Sequence, residues 1–144
     1  MTLFWIVALV VLAGMAYVRL APSDPDRWHR QASVTGMEPR RKQTGYVWRK
    51  EVQGDGMAEL SALDRVIMNT PRTTRLTGSV AAGQVTYITR TKVMGFPDYT
   101  TIGVYDGQID GTADRYIEIN ARLRFGRSDL GVNANRVKGW LSQL

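Results

Sequence analysis

Residues 116–141, YIEINARLRFGRSDLGVNANRVKGWL, change their structural period at a single glycine. Up to Phe125, apolar and polar side chains alternate, which predicts a β-strand with one apolar and one polar face. After Gly126, apolar side chains recur at a spacing of three to four residues, which predicts an amphipathic helix. The stretch therefore predicts an antiparallel sheet that is covered on one side by a C-terminal helix.

The start of that helix, predicted at 129–143, carries two candidate capping residues. Ser128 or Asp129 can accept hydrogen bonds from the first free amides, and Asp129 also complements the helix dipole. Ser128 as a nucleophile would need a general base, and the single histidine, His29, is distant in the sequence. We therefore favour the capping role. The predicted core-facing stripe consists of Leu130, Ala134, Val137, Leu141 and Leu144.

The segments before this stretch predict the rest of the domain. Asp55 as a cap, followed by Leu60, Leu63 and Ile67 at helical spacing, predicts a helix over 57–69. Alternation rich in β-branched residues predicts two strands between 74 and 93 and a third over 99–105. Two Asp-Gly pairs in 106–111 predict a turn. The predicted fold class is α+β: one helix, about four antiparallel strands, and a C-terminal helix packed on one face of the sheet.

The N-terminal segment is apolar and long. No residue from Thr2 to Val18 is charged, and a helix of this length, extended to residue 21, spans roughly 30 Å of hydrocarbon. Trp5 and Tyr17 lie near its two ends, where aromatic rings prefer the membrane interface. A cleavable signal peptide is the alternative, because Gly14-Met15-Ala16 resembles a cleavage site. We favour a retained single transmembrane anchor over 1–21, since no Lys or Arg precedes the apolar run.

Residues 22–56 are predicted to form a basic, proline-containing extended tether, in which 46–52 could form a short strand, and 57–144 the α+β domain. Residues 19–50 hold eight basic and three acidic side chains, whereas 51–144 hold eleven and ten. The high net charge therefore belongs to the tether, which suits anionic lipid headgroups or an acidic patch on a partner protein. A solvated linker is the alternative, and nucleic acid is not expected beside a membrane. The candidate lipid or partner contacts are Arg27, Trp28, Arg30, Arg40, Arg41, Lys42 and Trp48.

Composition excludes several kinds of site. The chain has no cysteine and one histidine, so disulfides and thiolate ligands are impossible and a zinc site lacks its three or four ligands. We expect no metal and no cofactor. Because no catalytic constellation is found, we predict that the protein is not an enzyme.

A cluster of cations is the remaining candidate site. Arg90, Lys92, Arg122 and Arg124 fall on the polar faces of two predicted strands, and Asp98 in the turn before the third strand could balance them. Such a patch could clamp a carboxylate or phosphate, or contact a partner protein. The alternative is the solvated face of a one-sided sheet with weak ion pairs, and we favour that interpretation.

Two segments resemble the signature blocks of bacterial domain-of-unknown-function family 1499: MGFPDY at 94–99 and LRFGRSDLGVNANRVKGWL at 123–141. In addition, VRLAPSDPDRWH at 18–29 resembles the segment that follows the anchor in proteobacterial members. One departure concerns 120–124, Asn-Ala-Arg-Leu-Arg, where the family usually has an Arg-Ser-x-Ser-Arg pattern. The resemblance implies no established activity. It suggests an extracytoplasmic domain, because relatives carry signal peptides or lipoprotein signals.

Three functions stay open. We favour a membrane-anchored accessory subunit of a larger inner-membrane complex, respiratory or photosynthetic, bound to an integral membrane protein. A lipid or small-ligand module is the second, and an apolar cavity between helix 129–143 and the sheet would indicate it. A hydrolase using Asp98 or Asp129 is the third. Arg19, Arg27 and Arg30 after the span favour a cytoplasmic domain by the positive-inside rule, whereas the resemblance tips our expectation slightly toward the periplasm.

Overall fold

The computed structural model describes residues 1–111 and 113–144. The helices of this part are α1 (Thr2–Leu20), α2 (Pro25–Trp28), α3 (Met57–Met68) and α4 (Val132–Leu141). The strands are β1 (Arg40–Lys42), β2 (Gly45–Glu51), β3 (Thr73–Ser79), β4 (Gln84–Arg90), β5 (Pro97–Ile109) and β6 (Ala113–Leu123).

The predicted α+β class is confirmed, with an N-terminal apolar helix, an antiparallel sheet and a C-terminal helix. The sheet has six strands rather than about four, in the order β1-β2-β6-β5-β4-β3. Every described strand pair is antiparallel. The two additional strands, β1 and β2, come from the segment predicted to be a tether. β2 coincides with the short strand considered at 46–52, whereas β1 was not predicted. β1 is three exposed basic residues on the sheet edge, and such a sequence carries no alternation from which a strand could be predicted.

The apolar core lies between the sheet and helices α3 and α4. Leu60, Leu63 and Ile67 of α3 are buried there, as their spacing predicted, and Val137 and Trp140 of α4 join them. The strands contribute the apolar side chains of alternate positions, among them Tyr87, Ile102, Ile117 and Ile119.

Helix α4 begins later than predicted, at Val132. Its N-cap is Gly131 in the left-handed conformation, with φ of 85°, which is costly for a residue with a Cβ. Leu130 therefore lies before the helix and is 84% exposed, and Leu144 lies beyond it and is 60% exposed. The predicted core-facing stripe is therefore wrong at Leu130 and Leu144, whereas Ala134 and Val137 are buried as predicted.

The second face of the sheet is covered as well, so the prediction of a one-sided sheet is wrong. Residues 21–36, which we call the cover, pack across this face. Trp28 stacks on Tyr99 with 3.9 Å between ring centroids, and its carbonyl accepts a 2.9 Å hydrogen bond from Thr101 Oγ1. Ala32 N donates to Glu118 Oε1 at 2.7 Å. The predicted tether thus divides into this cover and the strands β1 and β2.

Helix α1 is 19 residues long with a mean hydropathy of 2.2, long and apolar enough to cross a membrane. A signal sequence would pass the same test. No residue of α1 is buried within the chain. Its apolar surface is therefore free for lipid or for another protein.

Candidate functional site

The end of α1 is attached to the domain by specific contacts. Arg19 Nη2 donates to the carbonyl of Val93 at 2.8 Å, and its Nε donates to the carbonyl of Met94 at 3.4 Å. The ring of Tyr17 meets that of Phe125 edge-on, with 6.1 Å between centroids. The helix end therefore contacts both the loop between β4 and β5 and the segment after β6.

The residues that follow α1 continue this attachment. Arg124 Nη1 donates to the Pro22 carbonyl at 3.0 Å and to Tyr99 Oη at 2.9 Å. Ser23 Oγ shares a 2.6 Å hydrogen bond with the same Tyr99 hydroxyl, and Ala21 is buried. We call these contacts of residues 17–23 with the domain the joint. Charged donors on backbone carbonyls at several points give a defined orientation between helix and sheet.

The two sequence blocks with the family resemblance meet beside the joint. They line a cleft of about 340 Å³, which we call the apolar cleft. Its apolar walls are Phe96, Leu123, Phe125, Leu130 and Val132, and its polar residues include Asp98, Ser128 and Asp129. The cleft lies between the start of α4 and the end of the sheet.

Asp98 is buried under this cleft. Its Oδ2 lies 3.0 Å from Arg136 Nη2 of α4, whereas its Oδ1 has no hydrogen-bond partner among the described residues. Burial raises the pKa of Asp98 above its usual value, although Arg136 works in the opposite direction. The prediction that Asp98 balances the arginines of the other strands is wrong. Asp98 pairs in register with Leu123. Because successive side chains of a strand point to opposite faces, Asp98 faces the helices, whereas Arg122 and Arg124 face the cover.

Ser128 and Asp129 lie at the start of α4. Asp129 Oδ1 accepts from Gly131 N at 2.9 Å and Oδ2 from Asn133 N at 3.1 Å. Burial disfavours its ionisation, but these hydrogen bonds prevail and lower the pKa of Asp129. Ser128 Oγ accepts from Leu130 N at 3.2 Å. Asp129 thus accepts the Asn133 amide in the first turn of α4, whereas Ser128 accepts only the amide of Leu130, which precedes the helix, and the N-cap position itself is Gly131.

The four predicted cations do not converge. Arg124 belongs to the joint, and Arg122 lies under the cover, where its Nη2 donates to the Trp28 carbonyl at 2.7 Å. Arg90 Nη1 donates to the Gly95 carbonyl at 3.0 Å. Lys92 follows the end of β4. The patch is split because β4 ends at Arg90 and because the cover separates Arg122 from solvent.

A buried ion pair beneath the cover was not predicted. Arg49 Nη2 lies 2.7 Å from Glu118 Oε2, and both side chains are at most 3% exposed. Arg49 Nη1 also donates to the carbonyls of Val34 and Gly36, each at 2.9 Å. The sequence carries no signal for this pair, because Glu118 lies on the polar face of the predicted strand, where a solvated and a buried carboxylate look alike. A buried carboxylate there requires a cation.

The candidate tether residues have three different environments. Trp28 and Trp48 belong to the fold, one stacked on Tyr99 and the other packed against the core. Arg30 and Lys42 border a second cavity. The remaining cations are exposed, with Arg27 over the Trp28 ring: Arg27, Arg40 and Arg41.

Among the described residues, no group of three or more His, Asp or Glu side chains is placed to hold a metal ion. The geometry defines a class: a small α+β domain with a covered sheet, attached through a joint to a long apolar helix. The chain belongs to the family described as "Protein of unknown function (DUF1499)", whose model matches residues 18–144. No curated protein sequence and no solved structure matches the chain.

Proposed function

We propose that this protein is a non-enzymatic accessory subunit, whose α1 spans the bacterial inner membrane and packs against an integral membrane protein of a larger complex. The joint is the observation that carries the proposal. A flexible linker would suffice for a domain that needs only to stay near the membrane. The contacts of Arg19, Ser23 and Arg124 instead fix the domain relative to the helix, which suits a subunit that docks in one orientation.

The surface around the joint supports this placement. Val93 is 73% exposed and Leu130 84%, and Met94 and Val132 are exposed as well. Val93 and Met94 lie on the loop that Arg19 contacts, and Leu130 and Val132 lie at the start of α4 beside the apolar cleft. Apolar side chains clustered at one surface favour contact with a membrane or a membrane protein. The proposal therefore places this end of the sheet against the bilayer surface, with the domain on the periplasmic side.

Photocrosslinking along α1 tests the partner. A photoreactive side chain is placed singly at each residue from Phe4 to Leu12 of the full chain in native membranes. We expect crosslinks to one integral membrane protein at positions three to four residues apart, because only one face of a helix contacts a partner. Equal crosslinking at all positions, or crosslinks to lipid alone, would refute the accessory-subunit proposal.

The joint has its own test with a matched control. Arg19→Gln removes the charge and the donors to Val93 and Met94, whereas Arg27→Gln removes an exposed charge outside the joint. We expect the Arg19 variant to lose domain-to-partner crosslinks while α1 crosslinks persist. The Arg27 variant should match wild type. Unchanged domain crosslinks in the Arg19 variant would show that the joint is irrelevant to docking.

The side of the membrane is tested with a single thiol. The chain contains no cysteine, so Gln143→Cys at the exposed C-terminus supplies a unique reactive group. A membrane-impermeant maleimide should label it in intact cells with a permeabilised outer membrane. Labelling only after lysis would place the domain in the cytoplasm.

A second candidate function is a lipid or small-ligand module, favoured by the apolar cleft. Its volume of about 340 Å³ is at the lower end of typical ligand sites. Native mass spectrometry of the detergent-solubilised full chain should then show a bound apolar molecule, and Leu123→Asp should remove it. Leu144→Asp, an exposed position outside the cleft, is the control. A chain without adduct would eliminate this candidate and leave the accessory-subunit proposal intact.

A further inference from the structure

A second cavity, of about 280 Å³, lies between the cover, the β1–β2 hairpin and β6. We call it the Arg122 cavity. Three cationic side chains border it, Arg30, Lys42 and Arg122, and among the described residues no carboxylate does. The hydroxyls of Ser33 and Thr44 border it as well. A cavity lined by cations and hydroxyls is complementary to an anion.

Arg122 is the half-buried member of this group, whereas Arg30 and Lys42 are exposed. Its Nη2 donates to the Trp28 carbonyl and to Thr101 Oγ1. Its Nε and Nη1 are buried and have no hydrogen-bond partner among the described residues. Buried charged donors without acceptors are costly and rare in folded proteins. Two unmatched donors beside a cavity therefore indicate that an acceptor belongs there.

The charge of Arg122 is also poorly compensated by the protein. Burial and, to a smaller extent, the nearby positive charge of Arg30 lower the pKa of Arg122 to about 10. Glu118 favours the charged form, but its two oxygens are already bound to Arg49 and to the Ala32 amide. Arg30 and Lys42 form no ion pair among the described residues.

We propose that the Arg122 cavity binds an oxyanion of the phosphate class, with the half-buried Arg122 as its inner charge and Arg30 and Lys42 at its rim. The ligand oxygens would accept from these cations, and Ser33 and Thr44 would donate their hydroxyls. Charge-assisted hydrogen bonds of this kind are the strong ones. This inference does not depend on the proposed accessory function.

The phosphate has two possible sources, a free phosphate compound or a lipid headgroup. Arg124, two residues after Arg122 and just beyond the end of β6, contacts the carbonyl of Pro22, just after α1. Two residues of strand span roughly 7 Å. If α1 crosses the bilayer, the cavity therefore lies within reach of the headgroup layer. The chemistry of the site is the same in both cases, and the experiment separates them.

The test uses the full chain in nanodiscs at constant ionic strength. One arm titrates inorganic phosphate into nanodiscs of phosphatidylcholine. The other measures binding to phosphatidic acid in nanodiscs without free phosphate. The double variant Arg30→Gln/Lys42→Gln removes the exposed rim cations, which form no ion pair in the part of the chain that the structure describes, so we expect the fold to be retained. Arg40→Gln/Lys50→Gln removes two exposed charges from neighbouring strands outside the cavity.

We expect wild type to bind in at least one arm, with affinity about tenfold or more weaker in the rim variant, since each lost cation weakens anion binding. The control variant should stay within about twofold. Binding in the first arm assigns free phosphate compounds, and binding in the second alone assigns a headgroup. No binding in either arm, or equal losses in the rim and control variants, would overturn the oxyanion site. Either result leaves the crosslinking test of the accessory function unaffected.

Discussion

The two faces of the sheet are both buried, but by different chemistry. The helix face is closed by apolar side chains of α3 and α4, with Leu60, Leu63 and Val137 fully buried. The other face is closed by the cover, which reaches the strands through Trp28 and through hydrogen bonds to Thr101 and Glu118. One face is mainly a hydrophobic core, with the Asp98–Arg136 pair at its end, and the other is mainly a buried polar network.

Because of this difference, we expect a substitution on each face to lower the unfolding free energy for a different reason. The free energy gained by burying apolar side chains is roughly proportional to the buried area. Shortening one apolar side chain therefore lowers the unfolding free energy by the contribution of that side chain. A buried polar group is stabilised by its hydrogen-bond or ion-pair partner. When one of the two is removed, the larger cost in free energy comes from leaving the other buried and unpaired. The cover face should therefore fail in a more cooperative manner than the helix face.

The largest expected effect is at the ion pair beneath the cover. Glu118→Ala leaves the Arg49 charge buried and the Ala32 amide without an acceptor, so we expect a loss of about 3–5 kcal/mol in unfolding free energy. Leu63→Ala on the helix face removes only apolar contacts and should cost about 2–5 kcal/mol. Urea denaturation of the detergent-solubilised chain measures both.

A double variant shows whether the unpaired charge causes the loss. Arg49→Met/Glu118→Leu removes both charges, and we expect it to be more stable than Glu118→Ala, because no ion remains unpaired. If Glu118→Ala costs less than about 1 kcal/mol, the pair behaves like a surface salt bridge and the distinction between the two faces fails.

The next largest effect concerns Trp28. Trp28→Ala removes the stack on Tyr99 and the contact with the Arg122 guanidinium, and an aromatic residue cut to alanine in a core costs about 3–5 kcal/mol. We expect hydrogen exchange to accelerate in residues 22–36 while α3 and α4 keep their protection. Trp28→Phe, which keeps an aromatic ring on Tyr99, is the control. Unchanged exchange in the cover would mean that Trp28 does not hold it.

The helix face could be predicted from sequence and the cover face could not. Ile117 and Ile119 alternate with polar residues, which indicates a strand with one apolar face. Leu60, Leu63 and Ile67 recur at helical spacing, which indicates a helix with one apolar face. The repeating patterns therefore predict both layers of the core. The cover has no period. It binds through one tryptophan and backbone groups, which leave no repeating pattern.

Alternation also fails to distinguish a solvated polar face from a buried one. Glu118 and Arg122 look the same in sequence whether water or the cover lies above them. The candidate anion patch was therefore assigned to a solvated face, and only Arg122 of its members borders a cationic cavity. Its cavity partners, Arg30 and Lys42, come from distant segments, and such a meeting depends on tertiary packing rather than on local propensity.

A smaller effect is expected from the two carboxylates at the apolar cleft, which should respond to pH in opposite directions. The pKa of Asp98 is raised in the folded state, so its contribution to stability is complete below the unfolded pKa of about 3.9 and is lost as pH rises through the folded pKa. The unfolding free energy of wild type minus that of Asp98→Asn should therefore fall as pH rises from about 4.

Asp129→Asn is the matched comparison. The pKa of Asp129 is lowered, so its contribution is complete above the unfolded pKa and is lost as pH falls through the folded pKa. The unfolding free energy of wild type minus that of Asp129→Asn should therefore fall as pH drops below about 4. Urea titrations from pH 3 to 8, in about one-unit steps, measure both variants. Parallel pH profiles for the two variants would contradict the assigned environments.

The smallest effect is expected at a second ion pair on β6, three residues from Glu118. Arg115 Nε lies 2.5 Å from Asp106 Oδ1, but the Asp106 side chain is 70% exposed. The Arg115 guanidinium lowers the pKa of Asp106, yet water and salt screen such exposed pairs. Asp106→Asn should leave the urea midpoint unchanged. A shift comparable to that of Glu118→Ala would show that charge pairing along β6, and not burial under the cover, determines how much an ion pair contributes.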